Sequence, residues 1–116
     1  MNAIHTSMGA APQIPSHLRF MMAAIQDRAL DLSLAGRASV QAELDIAERY
    51  AHFELITRPD HCRYDDPEVT SLRADLTPIV GIDTASPLDQ AVADARGALA
   101  EMVDHLNRLI DQQVAA

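Results

Sequence analysis

A chain of 116 residues is long enough for one domain with one modest core, and a formal net charge of −8, from 17 acidic and 9 basic side chains, opposes the cation-rich footprint by which proteins hold a phosphate backbone. Hydrophobic residues make up 48% of the chain and aromatic residues only 3%, so the core has to be built from Leu, Ile, Val, Met and Ala. That composition favours closely packed helices over sheets, which draw on β-branched and aromatic side chains, and the acidic balance disfavours nucleic acid, so no nucleic-acid partner is expected.

The single Cys62 excludes an intramolecular disulfide and a Cys-cluster zinc site, and a cytoplasmic setting is the expectation. No stretch approaches the roughly 20 consecutive apolar residues of a membrane span, so no membrane partner is expected. All nine basic residues are Arg and Ala is frequent, as in a chain from a GC-rich bacterial or phage genome.

Residues 1–15, with Thr6, Ser7, Gly9, Pro12 and Pro15, read as a flexible tail, and residues 16–116 as a single helical domain. Ser16 stands where an N-cap is expected, ahead of a stripe formed by Leu18, Met21, Met22, Ile25, Ala29 and Leu32, which predicts a helix that Gly36 stops. A second apolar strip, Phe20, Ala23, Leu30 and Leu34, interrupted by Asp27, lies on the opposite side of that helix. Either a symmetric partner subunit covers it or another segment of the chain folds over it.

Ser39 is read as the cap of a second helix running to about Thr57, with Val40, Leu44, Ala47, Ala51 and Leu55 inward. With so short a link at Gly36, the first two helices are expected to form an antiparallel helical hairpin. Residues 58–66 read as a loop, Asp66 and Pro67 as the opening of a short third helix ending before Pro78, and residues 79–85 as a buried connector or a short strand. Ser86 and Pro87 then open a long C-terminal helix, in which Leu88, Val92, Ala95, Leu99, Met102, Leu106 and Leu109 recur at spacings of four and three, a seam that suits a bundle or self-pairing. The expected fold is therefore all-α, a small helical bundle behind a flexible N-terminal tail.

The loop from Asp60 to Asp66 gathers imidazole, thiol, phenol and carboxylates. His52, His61 and Cys62 are the residues nearest to a metal site, although metal ligands usually come as spaced pairs, and adjacent His61 and Cys62 do not form one. Glu48 with His52, and Glu101 with His105, are spaced i, i+4 and read as local electrostatics; carboxylate-bridged di-metal bundles use i, i+3. There is no Gly-rich phosphate loop, nucleophile elbow or metalloprotease signature, so no catalytic residue, cofactor or resident metal is expected.

The function that follows is a non-catalytic protein–protein interaction module of adaptor, regulator or inhibitor type. It is expected to be homo-oligomeric, with Phe20, Leu30, Leu34, Leu99, Met102, Leu106 and Leu109 as interface residues and a basic protein as a further partner. The alternative is a small metal- or ligand-responsive protein using the His/Cys/Asp loop around residues 60–66.

Overall fold

Pro15 sets the first element by putting a fixed φ and a free carbonyl where a helix begins. That carbonyl accepts the N–H groups of Leu18 and Arg19 at 3.1 Å each, and no side chain caps the end, so the Ser16 hydroxyl is not used there. Helix α1 spans Ser16–Ala35 and stops at Gly36, whose φ of 77° is the left-handed conformation that closes helices. The computed structural model describes residues 14–36, 38–59, 69–82 and 87–115.

Beyond Gly36 the chain is extended. Strand β1 spans Ala38–Ile46, β2 Ala51–Pro59 and β3 Thr70–Asp75, and they pair as an antiparallel sheet in the order β1-β2-β3. Helix α2, Leu88–Ala115, follows. The all-α expectation is thus overturned: the fold is mixed, two helices on a three-stranded sheet. No helical hairpin forms, and a strand stands where the short third helix was expected.

The physical reason lies in positions 40–46. Val40, Ala42, Leu44 and Ile46 alternate with Gln41, Glu43 and Asp45, a period-two pattern that places every apolar side chain on one face of a strand. Val40 and Leu44, and likewise Ala51 and Leu55, are four residues apart, a spacing that falls on one face of a helix as well as of a strand. The turn between β1 and β2 carries no Gly, Pro or Asn: residues 47–50 are Ala-Glu-Arg-Tyr, closed by the Ala47 N–H on the Tyr50 carbonyl at 2.8 Å.

Both helices cover one face of the sheet, α1 against β1 and α2 against β3, and they touch each other. Ala51, Phe53, Leu55 and Thr57 of β2 point into that layer and are buried. They meet Leu18, Met22, Ile25 and Leu32 of α1 and Ala91, Ala95, Leu99, Met102 and Leu106 of α2 in one core. The opposite sheet face is polar and open, with Glu43, Asp45, Ser71, Arg73 and Asp75 exposed.

The segment after β3 closes the core from one end. The Leu76 N–H donates to the Ala51 carbonyl at 2.8 Å, while the Thr77 hydroxyl accepts from the Ala51 N–H at 3.0 Å and donates to its carbonyl at 3.2 Å. Turn 77–80 then buries Ile79, so the start of this stretch is a connector rather than a strand.

Candidate interaction surface

The residues proposed from the sequence as interface divide into two groups. Leu99, Met102 and Leu106 are wholly buried in the chain's own core, and Leu109 is packed against it. Phe20, Leu30 and Leu34 instead stand on the outer side of α1, 75%, 56% and 76% exposed. A 20-residue helix with five buried positions has turned a second apolar strip to solvent.

Sequence reasoning missed the surface next to that strip. Leu44 and Ile46 occupy the helix-covered face of the sheet, in register with Phe53 and Ala51, yet they remain 44% and 55% exposed. Between them and α1 runs an open groove of about 550 Å³ lined by Ile14, Arg19, Met22, Ala23, Leu44 and Ile46 among others. It continues along the same seam into a shallower stretch bounded by Gln26, Leu30, Ser33, Val40 and Ala42. The alternation of residues 40–46 was the signal that could have found it.

At the turn end of β1 the Tyr50 hydroxyl donates to the Asp45 carboxylate at 3.1 Å, which raises the phenol's pKa because losing its proton would set two anions together. The Tyr50 and His52 rings stack with centroids 5.1 Å apart, and His52 Nε2 lies 3.9 Å from Asp45. His52 is therefore engaged within the polar sheet face. His61 and Cys62, the other residues singled out for metal binding, lie outside the described residues. Among the described residues no group of three His, Cys, Asp or Glu side chains is arranged to hold a metal ion.

One further cluster carries chemistry. Thr57, on the central strand and 4% exposed, lies 2.8 Å by its hydroxyl from His105 Nε2 on α2. Burial lowers the His105 pKa, and the Arg108 charge adds to the effect, so the neutral ring is favoured. The open side of His105 faces a cleft of about 340 Å³ with Thr70, Glu101, Asp104 and Arg108. A hydroxyl beside a neutral imidazole has the form of a nucleophile and its base, but that chemistry needs the hydroxyl open to substrate and the ring oriented by a third group. Thr57 is buried, and among the described residues no carboxylate bonds the ring's other nitrogen. The pair acts as a polar tie between β2 and α2.

No described helix is long and apolar enough to cross a membrane. Comparison of the chain with protein-family models, with curated proteins and with solved structures finds no match.

Proposed function

We propose that this chain is a non-catalytic protein–protein interaction module, of adaptor, regulator or inhibitor type, that acts in the cytoplasm and self-associates through the open side of α1 and β1. The observation that carries the reading is the concentration of exposed large apolar side chains on that side. Leu30, Leu44 and Ile46 line one groove, and Phe20 and Leu34 stand exposed on the outer side of the same helix. Apolar area gathered in this way marks contact surfaces on proteins that otherwise keep such side chains inside.

The acidic balance of the chain, with Glu43, Asp45 and Asp75 exposed on the polar sheet face, favours a basic protein as a second partner and disfavours nucleic acid. The two contacts should answer oppositely to salt. Copies that each carry a net charge of −8 repel, so self-association should tighten as salt screens them, while a basic partner should bind more weakly. Light scattering on the eluting native chain, with and without Phe20→Ser plus Leu34→Ser, tests the reading. A mass above 12.6 kDa that falls in the variant supports it; a monomer at every concentration contradicts the self-association on which it rests.

A further inference from the structure

We infer that two copies of this chain join through antiparallel pairing of their β1 edges, with Ala42 on the two-fold axis, to make one six-stranded sheet. The inference rests on the interaction-module reading and specifies how its self-association is built.

The Ala51 carbonyl accepts from Leu76 on the β3 side, so the odd-numbered residues of β2 bond toward β3 and the even-numbered ones toward β1. The Ala47 N–H on the Tyr50 carbonyl, with the pairings Asp45↔His52, Glu43↔Glu54 and Gln41↔Ile56, makes the odd-numbered residues of β1 the ones that bond β2. Ala38, Val40, Ala42, Leu44 and Ile46 therefore aim their N–H and C=O groups out of the sheet. Two side chains of α1 agree: Ser33 Oγ reaches the Val40 carbonyl at 3.3 Å and Gln26 Nε2 the Ala42 carbonyl at 3.5 Å. Those bonds are long, a carbonyl retains a second lone pair, and the outward N–H groups are untouched by them.

Outward groups meet outward groups only when a two-fold axis passes through a residue of β1. With the axis at Ala42, the midpoint of Ala38–Ile46, all nine residues pair. Leu44 of one copy then faces Val40 of the other, and Ile46 faces Ala38, all on the helix-covered face. On the polar face Glu43 meets Gln41 and Asp45 meets Ser39, each carboxylate opposite a neutral hydrogen-bonding side chain. Moving the axis to Glu43 would set two carboxylates directly opposite each other, a destabilising pair.

The helices fit the same axis. Gln26 lies level with Ala42, and Ala23 and Leu30 sit to either side of it along the groove. Two α1 helices running antiparallel across the axis bring Leu30 of one copy against Ala23 of the other. Pairing thus closes a nine-residue edge that no other strand among the described residues pairs, and it covers the partly exposed Leu44 and Ile46.

The test uses the full-length chain. Ala42→Pro removes an outward N–H that the β1–β2 ladder does not use, a place where an edge strand tolerates proline. Ala42→Cys on a Cys62→Ser background should form an intermolecular disulfide under mild oxidation, because Cα atoms of a hydrogen-bonded pair lie about 5.5 Å apart. The expected result is a halved mass for a folded Ala42→Pro chain, together with cross-linking at Ala42 and none for Glu43→Cys. A dimer that survives Ala42→Pro and does not cross-link at Ala42 overturns this pairing while leaving the interaction-module reading standing. A wild-type monomer at every concentration overturns both. If Ala42→Pro unfolds, the cross-linking pair decides alone.

Discussion

At the β3 side of the sheet, α2 sinks Ala95, Leu99, Met102 and Leu106 out of solvent, and β3 is a short edge of six residues with Ser71, Arg73 and Asp75 exposed. At the β1 side, α1 buries Leu18, Met22, Ile25, Ala29 and Leu32 equally well, yet it leaves a nine-residue edge beside it and Leu44, Ile46, Leu30 and Phe20 in contact with water. Both edges carry charges on the polar sheet face; what separates them is length, six residues against nine, and the apolar side chains that β1 leaves in water on its inner face. An apolar stripe therefore means different things on the two helices. On α2 the seam is matched by sheet and helix and is spent inside the fold; on α1 there are more apolar side chains than the fold has surface to receive.

The largest losses of stability are expected on the closed side. Leu99→Ala should cost about 2–5 kcal/mol, since it removes a fully buried side chain and leaves a cavity. Urea unfolding reads this, and a loss under 1 kcal/mol would mean that α2 is not the core helix. Thr57→Val should cost about 1–3 kcal/mol, because it leaves the part-buried His105 ring without its 2.8 Å partner. Gly36→Ala at the joint between α1 and β1 should cost about 1 kcal/mol, read as a lower Tm, since φ there is 77° and no atom stands within 4 Å of the added methyl to supply a second cause. On the open side, Phe20→Ser with Leu34→Ser should leave the fold itself within about 0.5 kcal/mol by the same urea assay while dissolving the oligomer.

Acid should act on the closed side as well. The folded His105 pKa lies below its ordinary 6.5, so the unfolded chain takes up a proton first as pH falls. The stabilisation from this residue is complete above pH 6.5 and is lost as pH drops toward the lower folded pKa. Tm should fall between pH 7 and 5.5, and His105→Gln should flatten that fall; an identical slope in the variant would show that His105 does not titrate in this way.

The two helices were legible because each combines a long 3.6-residue period with its own stop or start signals, Gly36 and Pro87, and the exposed strip of Phe20, Leu30 and Leu34 was legible as apolar side chains on the wrong side of one of them. The sheet was not read, for three reasons that reinforce one another. Ala42 in β1 and Ala51 and Ala74 in β2 and β3 are strand positions filled by a residue of high helix propensity, the hairpin turn lacks glycine, and apolar residues four apart satisfy either period. The alternation from Val40 to Ile46 was the decisive evidence and outweighs the shortage of aromatic residues. Reading it would also have exposed the second half of the candidate surface, the β1 edge. The Thr57–His105 tie joins residues 48 positions apart, and no local pattern announces it.

Hydrogen exchange of β1 amides across a range of protein concentrations decides whether the β1 edge is a contact surface. The outward N–H groups of Val40, Ala42 and Leu44 should exchange quickly in dilute protein and become protected as concentration rises, while the α2 amides around Leu99 to Leu106 stay protected throughout. Protection of Val40, Ala42 and Leu44 that does not change with concentration would contradict the claim that the β1 side of this fold is a contact surface.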